Sequence, residues 1–257
     1  MSQTAKELPL LCRQNCHARI VLAIRVQSDA SMKRLPLLIL LFTVSASAQI
    51  EIGPRISNYS TKMDMPLLKL DTGRVSSFGL VGGYRTGAFL LDWTYDHDTQ
   101  NGVSLVDVIV DTGDYTRDRG EVTIGYGITP LLDLQGGARL DQIRLGGIAL
   151  FGNPIGTDLS IDHQALVGGF RLHSAAGAPA GFYVIGRGLI GTAKFKDAIS
   201  DSADTTGYRG EVGIPIRLGQ SNWYLTPGAE YEHLEAKDHR WTQKTNRFFL
   251  SFVYSAR

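Results

Sequence analysis

Two clusters of carboxylate and imidazole side chains are where this sequence could do chemistry. Asp96-His97-Asp98 is one, and the other gathers Glu230, Glu232, His233, Glu235, Asp238 and His239 within ten residues. A carboxylate that orients an imidazole lets it act as a general base on water or on a serine hydroxyl. Asp96, His97, Asp98, Glu232 and His239 are therefore the candidate catalytic residues of a hydrolase. The competing reading is solvated surface charge, since the spacing matches no specific catalytic motif. Paired-histidine ligand spacing is missing, so no metal is expected. Gly186-Arg187-Gly188-Leu189-Ile190-Gly191 matches a dinucleotide fingerprint, which works only where a strand turns into a helix at the glycines. The polar stretch Thr192 to Thr206 follows instead, and no cofactor is expected.

The segments that would position these residues alternate with a period of two, as strands with one apolar and one polar face do. Phe89, Leu91, Trp93 and Tyr95 alternate with Asp92, Thr94 and Asp96; Val122, Ile124, Tyr126 and Ile128 oppose Glu121 and Thr123. Ten such segments are expected, at 49–59, 75–85, 88–97, 116–128, 131–141, 160–173, 182–193, 206–218, 222–234 and 244–255. The connections alternate too. Those near Gly87, Pro130, 174–181 and 219–221 are short, whereas 60–74, 98–115, 142–159, 194–205 and 235–243 are longer and polar.

Short turns on one side and long loops on the other are the pattern of an up-and-down transmembrane barrel. The expected fold is all-β: a closed antiparallel up-and-down transmembrane β-barrel of ten strands, with eight as the alternative. A soluble sandwich also alternates, but its connections have no reason to do so. The two faces favour the barrel. Trp93, Tyr95, Tyr126, Trp223, Tyr231, Phe248, Phe252 and Tyr254 make an aromatic outer face suited to lipid and its interfaces. The opposite face carries Arg55, Arg139, Arg171, Arg187, Arg209, Arg217 and Arg247 beside Glu51, Asp92, Glu121, Asp133, Glu211, Glu230 and Glu232. A barrel of eight to ten strands is just wide enough for side chains, so an ion-paired lumen is expected, with a narrow channel as the alternative. Pro215 and Pro227 flank one short turn and predict irregular pairing there.

All 29 glycines lie at or beyond Gly53, and the preceding segment reads as a different object. Met32-Lys33-Arg34, the apolar run Leu35 to Val44 and the Ala46-Ser47-Ala48 site have the layout of a secretory signal cut after Ala48. Residues 1–31 would then be an upstream extension ahead of a start at Met32, 32–48 the signal, and 49–257 the barrel. Cys12 and Cys16 both fall in the extension. The whole chain of 257 residues has a net charge of +1. Residues 1–48 hold six basic and two acidic residues, which leaves 20 basic against 23 acidic in the exported part, a net charge of −3. Nothing in that balance calls for a nucleic-acid partner.

With its signal, its strand and loop rhythm and its aromatic last strand Arg247-Phe248-Phe249-Leu250-Ser251-Phe252-Val253-Tyr254, residues 32–257 resemble the small Gram-negative outer-membrane β-barrel proteins. That resemblance implies export through the periplasm and residence in the outer membrane. It also implies lipid and lipopolysaccharide as surroundings, and recognition of the last strand by the barrel-insertion machinery. Members of that class usually end on an aromatic residue, whereas Ser255-Ala256-Arg257 follow Tyr254 here. The ten-stranded omptin proteases are similar in carrying Asp and His residues above the membrane. The role expected is structural or surface-interacting, with long outer loops and an unidentified surface ligand.

Overall fold

The computed structural model describes residues 48–65, 68–106, 110–146, 149–150, 153–154, 158–174, 179–196, 201–237 and 241–256. The extension, the signal up to residue 47, Asp238 and His239 lie outside them. Ten long strands follow one another: β1 (Gln49–Met65), β2 (Val75–Thr86), β3 (Phe89–Val106), β4 (Val110–Thr129), β5 (Leu132–Gly146), β6 (Leu159–His173), β7 (Tyr183–Lys196), β8 (Asp201–Gly213), β9 (Trp223–Ala236) and β10 (Thr242–Ala256).

Each strand pairs antiparallel with its neighbours in sequence, and β10 returns to β1 from Ile50↔Ala256 to Asp64↔Thr242. The sheet is therefore a closed barrel of ten strands with no free edge, as lipid requires of any spanning sheet. Short accessory strands sit against it. Leu68–Asp71 caps β1 and β3, Ala149–Leu150 and Asn153–Pro154 form a small hairpin on β4, and Ile216–Arg217 resumes the line of β8 against β9. The β2–β3 turn is tight because Gly87 adopts a left-handed φ of 57°, open to glycine without a steric cost.

The two prolines part company. Pairing of β8 with β9 stops after Gly213 and resumes at Ile216, leaving Pro215 in the gap, whereas Pro227 keeps its register with Leu250 of β10. The Pro227 carbonyl accepts from Ile214 N–H, so the missing N–H of Pro227 faces the same interrupted side. One irregularity serves both residues.

Most of the expected long loops are strand instead. β1 runs through Met65, β3 through Val106, and β4 begins at Val110. β1, β3 and β4 have 17, 18 and 20 residues, against the ~10 that cross a hydrocarbon layer. The surplus continues the barrel on the side away from the short turns.

Along these strands the pattern reverses. From the short turns to about mid-strand the outward side chains are apolar, among them Leu166, Ile190 and Phe248, exposed to 72%, 71% and 70%. Further along, the outward positions turn polar (Lys62, Asp118, Arg144, Asp162, Lys194, Lys244), while the inward ones become Tyr59, Met63, Tyr115, Ile161 and Leu234, with Trp241 joining them from the β9–β10 connection. The outer half is thus packed like a water-soluble barrel around an apolar core, and the other half is its inverse.

Candidate functional site

The inward face of the apolar-walled half holds a belt of buried arginines and acids. Its bonds run across the lumen. Arg119 of β4 donates to Glu230 of β9 at 2.6 Å and to Asp96 of β3 at 2.8 Å, and Arg247 of β10 donates to the same Asp96 oxygen at 2.6 Å. Arg139 of β5 donates to Glu232 of β9 and to Asp141 at 2.6 Å. Arg117 grips Asp141 in the two-pronged manner, at 2.8 and 2.6 Å. One layer closer to the short turns, Arg187 of β7 donates to Glu121 of β4 and Arg209 of β8 does so at 2.7 Å, while Arg55 lies over the Phe249 ring at 4.2 Å.

Strand geometry explains why these side chains meet. Residues i and i+2 share a face, so Arg117, Arg119 and Glu121 all enter the lumen from β4. Glycine makes room for them. Gly79 stands opposite Asp96, and a Cβ there would collide with the Asp96 carboxylate and the Tyr95 carbonyl. Of the eight carboxylates buried in the described lumen, seven have a guanidinium within 4.0 Å. Asp98 is the exception, and its two oxygens share their lack of a partner with the buried hydroxyls of Ser77 and Ser57 in the same cross-strand row.

Above the belt, the apolar core of the outer half packs inside the barrel. Below it, a cavity of about 320 Å³ reaches the short-turn end, lined by Asp92, Arg171, Tyr183, Arg187 and Glu211. Arg171 contacts Asp92 at 3.2 Å, and Tyr183 donates to Glu211 at 2.8 Å. The cavity ends against Glu121, Arg187 and Arg209.

The described candidate catalytic residues do not converge. Asp96 points inward, clamped by Arg119 and Arg247. His97, its neighbour, necessarily points outward, half-exposed, with Nδ1 2.8 Å from Asp118 of β4, an oxygen that also accepts from the Tyr95 hydroxyl at 2.9 Å. Asp98 points inward again, and Glu232 is buried beneath Arg139. His239 lies outside the described residues. The lumen candidates Arg55, Asp92, Glu121, Arg139, Arg171, Arg187, Arg209, Glu211, Glu230 and Arg247 all sit on the inward face, and Trp93, Tyr95, Tyr126, Trp223, Tyr231, Phe248, Phe252 and Tyr254 on the outward one. Trp223 stacks on Phe252 at 4.5 Å near the short-turn rim. Sequence reasoning missed Arg117, Arg119 and Asp141 as members of the belt. The signal was present, since Arg117 and Arg119 lie in phase with Glu121.

Outside the apolar band the charges are ordinary surface pairs. Burial alone would lift the Asp162 carboxyl, but hydrogen bonds from Lys196 at 2.5 Å and Gln142 at 2.7 Å outweigh it and hold the group below the usual carboxylate value.

These features define an up-and-down antiparallel barrel with an apolar outer wall and a charged lumen. The same architecture is found in the outer-membrane protease OmpT from Escherichia coli, with a TM-score of 0.51 at 8% identity over 82% of this chain and 97% of that one. Neisserial surface protein A matches with a TM-score of 0.38 at 11% identity over 79% of this chain and 96% of its own, and the attachment invasion locus protein Ail of Yersinia pestis with 0.32 at 17% identity over 80% and 98%. The likeness to OmpT is one of fold. Neither a protein-family profile nor any curated protein sequence matches the chain.

Proposed function

We propose that this chain is an integral outer-membrane barrel with a sealed lumen, working as a structural or surface-interacting protein through the half that projects beyond the membrane. One observation carries the reading: guanidinium–carboxylate bonds span the lumen between non-adjacent strands, with a cluster of buried apolar side chains inside the barrel beyond them. A charge pair buried in this way tolerates no missing partner, so the belt is a permanent closure. Export of residues 49–257 after cleavage behind Ala48, and recognition of the aromatic β10 by the insertion machinery, belong to the same proposal.

The narrow-channel reading meets the belt as an obstacle, and among the described candidates of the barrel-mouth hydrolase His97 faces outward while Asp96, Asp98 and Glu232 face the lumen. Conductance in planar bilayers tests the closure. The refolded protein should insert without ionic current steps; steady unitary steps would overturn the sealed-lumen reading. An Arg119→Ala and Glu230→Ala double variant, which removes both partners of one crossing, should gain brief openings.

A further inference from the structure

We infer that the cavity at the short-turn end of the lumen is a binding site for a short zwitterionic peptide; its entry from the periplasm rests on the membrane reading above. Two side chains on the inward face of β1 line this cavity, Glu51 near the mouth and Arg55 four residues further in. Both have bonding capacity to spare. Arg55 donates through Nε to Ser251 at 3.1 Å, while its Nη2 stands 3.6 Å from Glu211, too far for a hydrogen bond. Both Nη groups of this guanidinium are thus without a hydrogen-bond partner among the described residues, and stacking on Phe249 at 4.2 Å holds the plane in place. Glu51 accepts from the Gln49 amide at 2.7 Å and has no guanidinium or amine within 4.0 Å among the described residues. Arg171, the cation near the mouth, contacts Asp92 at 3.2 Å instead. Gly83 lies directly across from both Glu51 and Asp92, and a Cβ there would meet the Asp92 carboxylate at 3.0 Å. The mouth therefore presents two carboxylates on a bare strip of wall.

An open carboxylate and an open guanidinium in one cavity call for both charges on the same guest. A simple anion would leave Glu51 unmet, and a simple cation would leave Arg55. Four residues along a strand are ~13 Å, and the two side chains shorten that gap by leaning toward each other. The charges of a single α-amino acid are too close together to reach both. An extended peptide of three residues spans ~10 Å, which sets its ammonium at Glu51 and its carboxylate at the Arg55 fork, a pairing guanidinium makes in the two-pronged manner. The cavity of about 320 Å³ has room for small side chains. Thr94 and Thr226 line the same space, and their hydroxyls can both donate to and accept from peptide groups.

The test is calorimetric titration of the folded full barrel in nonionic detergent with trialanine, N-acetyl-trialanine and trialanine amide. Trialanine should bind, and each blocked form should bind about tenfold more weakly, the smaller loss expected when a charge-assisted hydrogen bond goes unmade. In Glu51→Gln, trialanine should fall to the affinity of its acetylated form, and acetylation should cost nothing further. In Arg55→Gln, amidation should likewise cease to matter. Heat-modifiable gel mobility checks that the variants fold; Glu51→Gln, at the rim, decides the matter even where the buried Arg55 does not tolerate replacement. Three outcomes overturn the proposal: no binding of trialanine, equal affinity for all three peptides, or full discrimination against the acetylated form retained in Glu51→Gln. Acetate binding as tightly as trialanine would mark a plain anion site and overturn the choice of a peptide. Insertion into vesicles, scored separately, reports on the membrane reading: a barrel that binds trialanine in detergent but does not insert fails only that reading.

Discussion

The two halves of this barrel are built from the same strands and have opposite interiors. Where the wall is lined outside by Leu166, Ile190 and Phe248, the inside is Arg119, Arg139 and Glu230; where the outside is Lys62, Asp162 and Lys244, the inside is Met63, Leu234 and Trp241. The backbone is indifferent to this change, since the strands pair antiparallel with their neighbours in both halves. What differs is the solvent. Lipid rewards an apolar exterior and leaves charge to be hidden and paired inside, whereas water rewards the reverse arrangement through burial of apolar area. The level at which the pattern flips therefore marks where the protein leaves the hydrocarbon.

Substitutions on the two sides of that level should separate the halves. The largest effect is expected inside the belt. Arg119→Met strips Asp96 and Glu230 of a shared guanidinium and should destabilise the barrel by about 3–5 kcal/mol, read as a lower urea midpoint for loss of the heat-modifiable form. Next, Leu234→Ala opens a hole in the outer core and should cost about 2–5 kcal/mol. Its signature differs, with new protease cleavage in the outer half while the membrane half stays resistant. The finest test lies on one strand. Leu166→Arg puts a charge on the lipid-facing wall and should cost about 2–4 kcal/mol. Gln164→Arg, two residues further out on the same face, should stay within about 0.5 kcal/mol, as surface substitutions usually do. Equal costs at 164 and 166 would erase the boundary drawn here.

The same comparison explains what could be read from the chain beforehand. In the membrane half, apolar-out alternation identifies strand, face and lumen together: Tyr126, Ile124 and Val122 set the phase, and Glu121 follows from it. Arg119 and Arg117 were reachable by carrying that phase two steps further. In the outer half the period persists with its sign reversed. A segment such as Ser57 to Asp64 then shows exposed Asn58, Ser60 and Lys62 between Tyr59, Thr61 and Met63, and its polar residues resemble a loop. The Asp96-His97-Asp98 run is contiguous in sequence, yet strand alternation sends His97 to the outer face and the two carboxylates to the lumen. Cross-lumen pairs such as Arg139 with Glu232 join residues far apart in sequence, and only closure of the ring brings them together.

Reversal of the pattern midway along each strand also bears on register. A slip of one residue in any pairing exchanges the two faces along the whole strand. In a barrel of a single pattern such a slip offends one environment. Here it would turn Arg119 toward lipid and, by the same motion, turn Tyr115 toward water on the strand they share. Each strand thus proofreads its alignment at two levels against two different solvents, and a misregistered barrel has no half in which to be comfortable.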